Sequence, residues 1–484
     1  MRIGTRLGRP ARSGASVQVT LFGAGTLAIL LAAAAPTRAM ALQSAAAESA
    51  DTVHLTLEQA ISEALTNNPT YRRAENDLRL NPVESRRTLF DQLLPQTRLS
   101  LFNTNFSGNL QRIATDNFGD PISRPDARWT YFSGTTQSLS VGWQTQGLDV
   151  FHRHRGQQLT NRGRDLSLRR ADLNLKVAVE RFYLEVLRQV AVVEAETALV
   201  EARANDLEAA QELYALALRS RVDVLQAELA VEQQRATLHR AQGDYDQAVL
   251  ALASYIGADP SNTFVLPDAP TPAFDPSAFD ADELVARALD GNPSMREARH
   301  SLAQARLGLD RTKTRWWPNL SLSANVYRRS QGTERTSLFD FSFDEDLDYS
   351  FYVGLSFPFL DNFFGDQVND ESASVSYVNQ AEAERETRLE VERTVRSALL
   401  ALENQWQTLT LEEEAHRIAV EALELAREEY RLGARSFTDL RAGIEAEATA
   451  RRSVITAGFS FHEALISLEE AVAGPIRAET PSGN

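Results

Sequence analysis

The sequence predicts a mixed α and β membrane protein in which very long coiled-coil helices are joined to a few β-strands. Three observations lead to this prediction. Long proline-free spans carry a seven-residue apolar period, four shorter segments alternate apolar with small polar residues, and the N-terminus has the pattern of an export signal. Sustained heptads indicate left-handed coiled coils, and strands of about ten alternating residues are typical of membrane β-barrels.

The N-terminal segment is predicted to be a cleaved signal peptide spanning residues 1–41. A basic stretch precedes an almost wholly apolar run from Val17 to Ala35, and Ala39-Met40-Ala41 has the small-x-small pattern of a cleavage site. The alternative is a retained membrane anchor, because the apolar run is long. No later stretch of the required length is free of charges, so we expect an exported protein without a further transmembrane helix.

Composition argues against several classes of function. The 50 basic and 66 acidic residues give a formal charge of −16, which disfavours nucleic acid as a partner. The absence of cysteine excludes a disulfide scaffold, a thiolate metal site and a cysteine nucleophile. Lys176 and Lys313 lie outside any glycine-rich phosphate-binding loop, and no Gly-x-Ser-x-Gly nucleophile motif occurs. We therefore expect a protein that is not an enzyme and that has no cofactor and no metal site.

An internal duplication organises the rest of the chain. The segment 65–69 recurs at 289–293, and the series Tyr214, Ser220, Asp223 recurs at one constant offset as Tyr430, Ser436, Asp439. Several matches in the same order are better explained by duplication than by chance. Each repeat is predicted to hold a helix, two strands and two long helices. The predicted organisation is a first repeat at 42–257, a proline-rich linker at 258–278, a second repeat at 279–474 and a disordered tail at 475–484.

The long helices are predicted from heptads and from the spacing of prolines. No proline occurs between Pro125 and Pro260 or between Pro358 and Pro475. In the first repeat one seam position consists of Val186, Val193, Val200, Leu207 and Tyr214. The second consists of Val190, Ala204 and Leu218, with Thr197 and Gln211 as weak members. In the second repeat the seam consists of Val395, Leu402, Leu409, Leu423 and Tyr430, with His416 as a polar interruption.

Four strands are predicted from alternation. In the segment 351–357 every second residue is apolar, and two other segments alternate likewise. The strand after Pro95 is less regular, because Phe106 falls on the opposite face from Leu99. An ordinary half-buried sheet would alternate in the same way. Four strands cannot close a barrel in lipid, so other copies must complete the sheet; three copies would give twelve strands, although closure alone also permits two or four copies.

Together these features resemble the TolC-like outer membrane efflux proteins from about Leu55 to Gly474, and the segment 430–440 is the most specific part. The resemblance implies a homotrimer with a twelve-stranded barrel in the lipid of the outer membrane of a Gram-negative bacterium. It also implies a helical tunnel into the periplasm, and an exit duct that works with a periplasmic adaptor and an inner-membrane pump. Two alternatives stay open: a type I protein secretion duct, and an exported coiled-coil stalk or tether.

The resemblance also implies functional residues. A periplasmic gate is predicted from Asp439, Arg435, Tyr430 and Asp223, helical tip turns from Ser220, Gly433 and Ser436, and swivels between barrel and helices from Pro358, Pro95 and Pro318. The alternative role for Asp439 and Asp223 is to cap the helices that follow the turns. The first turn has Ala217 where the second has Gly433, so we expect the first turn to be built differently.

Overall fold

The computed structural model describes residues 52–112, 118, 120–121, 127–146, 148–259, 263–267, 272–314, 317–332, 347–357 and 363–476. The predicted signal peptide, Pro358 and most of the predicted C-terminal tail lie outside the described residues.

The described elements follow nearly the same order in the two halves of the chain. The helices are α1 Leu57–Asn67, α2 Pro69–Asp77, α3 Leu80–Leu93, α4 Asp149–Ala215, α5 Arg221–Ile256, α6 Ala281–Gly291, α7 Pro293–Lys313, α8 Phe363–Arg431 and α9 Phe437–Val472. The strands are β1 Thr52–His54, β2 Gln96–Arg112, β3 Ala127–Gln146, β4 Thr263–Val265, β5 Asn319–Gly332 and β6 Leu347–Ser356. The first half has one helix more before its strands, because Pro82 interrupts the helix that stays continuous as α7.

The two longest helices are rods. α4 has 67 residues and α8 has 69, so each extends about 100 Å at 1.5 Å per residue. The seam predicted for α8 is confirmed, since its five apolar members are buried and His416 interrupts them. His416 Nε2 lies 3.4 Å from a carboxylate oxygen of Glu447 on α9. Within the described ranges, no helix combines the length and the apolar character that crossing a bilayer requires.

In α4 the second seam position lies one residue earlier than predicted. Thr197, Ala204 and two other predicted members are exposed. The prediction was wrong because it counted apolar side chains, whereas a polar side chain with a fixed partner can also occupy a buried seam. Glu196, for example, accepts hydrogen bonds from Arg452 Nε at 2.5 Å and from Gln234. The buried positions are Gln189, Glu196, Arg203 and Ala210.

The strands β2, β3, β5 and β6 form one antiparallel sheet in that order. In the register of the sheet, apolar residues of neighbouring strands lie opposite each other and form rows across the sheet. Rows of small or polar residues alternate with these apolar rows. One apolar row is Leu99, Leu139, Val326 and Tyr349, and a neighbouring polar row is Arg98, Ser140, Asn325 and Ser350. The predicted alternation is confirmed. The apolar face is uncovered in the single chain, where Phe351 is 72% exposed.

A β-bulge explains the irregular strand. The pairing of β2 with β3 shifts between Ser100 and Asn103, where β2 has one residue more than β3. The extra residue reverses the phase of β2, so that Phe106 and Leu110 lie on the same face as Leu99. The prediction that Phe106 faces the other way was therefore wrong, because alternation along one strand cannot reveal an inserted residue.

The duplicated Asn-Pro motif joins helices at two equivalent places. Asn68 Oδ1 accepts hydrogen bonds from the first amides of α2, while Nδ2 donates to the carbonyl oxygen of Tyr255 at 2.9 Å. Asn292 caps α7 in the same way and donates to the carbonyl oxygen of Ala471 at 2.9 Å. One side chain thus begins a helix and fastens it to the end of α5 or α9.

A small parallel pair of strands was not predicted from the sequence. β1 pairs with β4 from Thr52 opposite Thr263 to His54 opposite Val265. The adjacent Phe264 is buried in the cluster that α1, α4 and α5 share. The pair fastens the start of the described chain to the segment between the two halves.

Candidate gate at the helical turns

The two helical turns of one chain pack on each other. Each turn joins a long helix to a shorter one, α4 to α5 and α8 to α9. Side chains from all four helices share one buried cluster, which makes the turns of the two repeats a single packed site. The cluster consists of Ala210, Val224, Ala227, Leu423, Ala426, Tyr430, Phe437, Leu440 and Ile444.

The serines of both turns begin the next helix through reciprocal capping boxes. Ser220 Oγ accepts from the amide of Asp223 at 3.3 Å, and Asp223 Oδ2 accepts from the amide of Ser220 at 3.1 Å. Ser436 and Asp439 repeat the arrangement at 3.2 and 3.4 Å. Both aspartates are therefore helix-capping residues, which was one of the two roles considered from the sequence. Asp439 is also exposed, so its carboxylate faces solvent in the single chain.

The turns themselves have the same backbone construction. Ala217 has φ 56° and Gly433 has φ 82°, so both lie in the left-handed region. In each turn the next amide donates to a carbonyl oxygen five residues earlier at 2.9 Å, as in a Schellman motif. The expectation of a different first turn was wrong. The hydrogen bonds that close the end of the helix stabilise the turn by more than the left-handed conformation of Ala217 costs, which is about 1–2 kcal/mol.

Arg219 clamps the first turn onto the second. Its Nη2 donates to the carbonyl oxygens of Tyr430 at 2.6 Å and Arg435 at 2.8 Å. The guanidinium carbon also lies 4.3 Å from the centre of the Tyr430 ring, within cation–π range. Arg219 was not among the predicted site residues. The duplication could have revealed it, because Arg219 stands at the position in the first turn that corresponds to Arg435 in the second turn.

The predicted gate residues are only partly brought together within one chain. Arg435 Nε pairs with Glu429 at 2.7 Å, inside its own turn. Asp223 is engaged in its cap, and none of the described contacts joins it to Arg435. Tyr430 is common to the Arg219 clamp and the buried cluster, where its ring meets Phe437 at 5.8 Å. The links inside one protomer thus centre on Tyr430.

Two titratable groups at the turns are shifted in pKa. Burial raises the pKa of Tyr430, whose hydroxyl has no hydrogen-bond partner among the described residues. Hydrogen bonds from Ser436 lower the pKa of Asp439. A lowered pKa keeps the carboxylate of Asp439 ionised at neutral pH. The site therefore offers a buried neutral phenol inside and a fixed negative charge on its surface.

A second brace lies on the long helices, nine residues before the end of α4 and four residues before the end of α8. Arg427 on α8 donates to both carboxylate oxygens of Asp206 on α4, each at 3.1 Å. The pair is bidentate, which fixes orientation as well as distance. It ties the two long helices together next to the packed turns.

Two of the three predicted swivel prolines lie where a helix passes into a strand. Pro95 stands between the end of α3 and the start of β2, and Pro318 directly precedes β5. The third residue, Pro358, lies outside the described residues. At the first junction the indole of Trp143 on β3 donates to the carbonyl oxygen of Gln92 at 2.8 Å, which ties the sheet to α3. No cluster of metal-ligating side chains occurs in the part of the chain that the structure describes.

The fold and these turns define a class of protein. A sheet that is apolar on one uncovered face, joined to helices of about 100 Å, is typical of an outer-membrane channel that extends into the periplasm. The chain belongs to the outer membrane efflux protein family, whose sequence model matches residues 60–258 and 284–474. Members of this family are channels and not enzymes, and the chain has the TolC-like fold.

Individual relatives agree with this assignment. A curated relative, protein CyaE of Bordetella pertussis, is 30% identical over 168 residues, which cover 33% of this chain and 34% of that protein. A membrane protein from Pseudomonas aeruginosa has a TM-score of 0.66 at 19% identity, covering 87% of this chain and 90% of that one. The outer membrane protein VceC of Vibrio cholerae has a TM-score of 0.64 at 17% identity, covering 87% and 96%. The two solved structures are similar in fold.

Proposed function

We propose that three copies of this chain form the exit duct of a tripartite efflux pump. In this proposal the duct conducts substrates passively, and an inner-membrane pump supplies the energy through a periplasmic adaptor. The twelve strands of the trimer close a barrel in outer-membrane lipid, and the helices form a tunnel whose periplasmic end is closed at the turns.

The open sheet carries the proposal. Among the described strands, β2 and β6 stand at the edges of the sheet and each has one neighbour. Unpaired backbone groups cost several kcal/mol each in lipid, so the edges need strands from another copy. Three copies supply twelve strands, an even number within the range of known barrels. The uncovered apolar rows then face lipid, and the small polar rows face the lumen.

The gate is proposed at the packed turns. In a trimer the carboxylate of Asp439 occurs three times around the bore, where repeated charge attracts cations and repels anions. Its capping role does not compete with this function, because the cap holds the carboxylate at one place. The contacts of Arg219, Arg435 and Tyr430 are the latch, and opening must release the Arg219 clamp. Asp223 supports the latch by holding the start of α5.

The swivels belong to the same proposal. Pro95 and Pro318 lie where a helix is followed by a strand, and Pro358 stands in the sequence between β6 and α8; a proline at such a junction restricts φ. A stiff junction lets the barrel stay fixed while the helices below it move. This separates the membrane part of the duct from the moving gate.

The mass of the assembly and its conductance test the proposal. The mature chain would be purified from outer membranes in detergent, weighed by light scattering and inserted into planar bilayers. We expect a trimer that conducts ions. A water-soluble monomer without conductance would reject the duct. In the host, deletion of the gene should raise drug susceptibility; unchanged susceptibility with loss of a secreted polypeptide would instead support the type I secretion alternative.

A further inference from the structure

We propose that a groove between α4 and α7 binds a small soluble polyanion. The binding site itself does not depend on the proposed duct, whereas the assignment of the ligand to cargo or to periplasmic solute rests on it. The groove has a volume of about 450 Å³, and its charged lining is mostly basic although the chain carries a formal charge of −16. Asp165 and Asp290 are the acidic residues of the lining. The basic ones are Arg162 and Arg169 from α4 and Arg296 and Arg299 from α7.

The arginines of the groove are weakly neutralised. Arg299 Nη1 lies 3.8 Å from Asp290, whose side chain is 93% exposed and therefore well screened by water. Arg296 Nε donates to the main-chain carbonyl oxygen of Asp290 at 3.1 Å, which leaves its charge uncompensated. For Arg162 and Arg169, the described residues place no carboxylate oxygen within 4.0 Å.

Adjacent arginines on α4 behave differently. Arg164 pairs with Glu84 at 2.8 Å, and Arg170 pairs with Glu297 at 2.7 Å. Neither of these two arginines lines the groove, and each is neutralised by a carboxylate of the same chain. The unpaired pair, Arg162 and Arg169, is thus the pair that faces the groove.

The geometry suits a ligand with two or more anionic groups. Arg162 and Arg169 lie two turns apart on one helix, a rise of about 10 Å. The helices approach closely at Gly163, where an added Cβ would lie 3.0 Å from His300 Nε2. Burial and the nearby charge of Arg162 lower the pKa of His300, against a smaller opposing effect of Glu297. Guanidinium groups from two adjacent helices can then bind phosphate or carboxylate groups through bidentate hydrogen bonds.

The position of the groove excludes a membrane lipid as the ligand. Arg162 and Arg169 lie 13 and 20 residues after the start of α4, which places them about 20 and 30 Å along the helix from the end of the sheet. The ligand must therefore come from the aqueous phase. Two sources share the required chemistry: an anionic cargo inside the duct, and an anionic solute of the periplasm.

Binding is tested on the purified full-length channel in lipid nanodiscs. Inorganic pyrophosphate is titrated calorimetrically at low ionic strength, and we expect the double variant Arg162→Gln/Arg299→Gln to bind about tenfold more weakly or worse. The matched control is Arg155→Gln/Arg306→Gln, which removes the same charge from the same helices one heptad away, outside the groove. The control should bind like the unmodified protein. No binding by the unmodified protein, or equal weakening in both variants, would overturn the site.

A bilayer experiment then distinguishes the two sources. If pyrophosphate changes the conductance of the unmodified channel but not that of Arg162→Gln/Arg299→Gln, the groove faces the lumen and the ligand is cargo. If calorimetry shows binding and the conductance is unchanged, the ligand is a periplasmic solute; either result supports the site. A chain that forms no channel would reject the proposed duct and leave the calorimetric result standing.

Discussion

The guanidinium group of Arg219 lies over the ring of Tyr430 at 4.3 Å and donates to the carbonyl oxygen of the same residue at 2.6 Å. One side chain from the first repeat thereby holds both the side chain and the backbone of the second. A third contact, to the carbonyl oxygen of Arg435, extends the hold across the turn. Because Arg219 joins the turn of the first repeat to the turn of the second, its contacts are the first to test for the proposed latch.

Arg219→Ala should loosen the gate. The change removes two charge-assisted hydrogen bonds and a cation–π contact, and we expect a loss of about 2 kcal/mol, or roughly thirtyfold in the ratio of closed to open channels. Single-channel recordings in planar bilayers should show a higher open probability, and the host should become sensitive to vancomycin.

The matched control for the Arg219 experiment is Arg221→Ala. Arg221 is exposed in the same turn region, and removing it takes away the same charge without the clamp. It should leave the recordings unchanged. Equal opening in both variants would show that net charge, and not the clamp, holds the turns closed.

Variants of Ser436 and Asp439 distinguish the helix-capping role of this pair from the role of the negative charge. Asp439→Asn keeps an acceptor for the amide of Ser436 but removes the negative charge, so we expect a weaker preference for cations with little loss of stability. Ser436→Ala removes the cap but keeps the charge, so it should cost about 1 kcal/mol of stability with unchanged selectivity. Reversal potentials and thermal unfolding measure the two effects. If both variants change selectivity alike, the charge of Asp439 has no separate role.

The left-handed backbone at Ala217 and Gly433 predicts that glycine stabilises these two positions and alanine destabilises them. Ala217→Gly should raise the apparent melting temperature of the protein by relieving roughly 0.5–1 kcal/mol, whereas Gly433→Ala should lower it by a similar amount. Gly257→Ala should cost more than Gly433→Ala, because its new Cβ would lie 2.9 Å from the Cβ of Asn67. A stabilising Gly433→Ala variant would contradict this account of the turns.

Substitution of Asn68 should destabilise the protein more than substitution of its exposed neighbour Asn67. Asn68→Ala removes the cap of α2 and the hydrogen bond to Tyr255, so we expect a loss of about 2 kcal/mol in thermal unfolding. Asn67→Ala is the control, because Asn67 is the exposed last residue of α1 and directly precedes Asn68. Asn292→Ala should reproduce the loss in the second half. Similar melting curves for the Asn67 and Asn68 variants would argue against the junction.

Glu196 predicts a dependence of stability on pH. Burial by itself would raise the pKa of Glu196, but hydrogen bonds from Arg452 and Gln234 and the charge of Arg452 outweigh it, so the pKa lies below the ordinary value of 4.5. A lowered folded-state pKa stabilises the protein above the unfolded value, and this contribution disappears as the pH falls through the folded value. Glu196→Gln should therefore cost about 1–2 kcal/mol at neutral pH.

The difference between the unmodified protein and Glu196→Gln should shrink as the pH falls below about 4.5. Thermal unfolding between pH 3 and 8 measures it. Glu201→Gln on the exposed side of α4 is the control and should show no such trend. A difference that is constant with pH would mean that the charge of Glu196 does not contribute.

Much of the fold could be predicted because it depends on local periodicity. The seam of α8, with buried Val395 and Leu402, follows from the heptads, since a helix that buries one stripe must repeat apolar residues along it. The sheet follows from strict alternation, since neighbouring side chains in a strand face opposite sides. The capping serines and aspartates were recognisable because capping is a contact between residues three apart in sequence.

By itself, the sequence determined the duplication, the rods, the four strands and the family, because each of these is recorded in spacing along the chain. Only the tertiary structure decided that Arg219 clamps Tyr430, that Glu196 occupies a buried seam and that a bulge turns Phe106 to the apolar face. Each of these depends on partners that are distant in sequence or on an inserted residue in one strand. A polar side chain can be exposed, capping or buried with a partner, and only the fold brings its partner within hydrogen-bond distance.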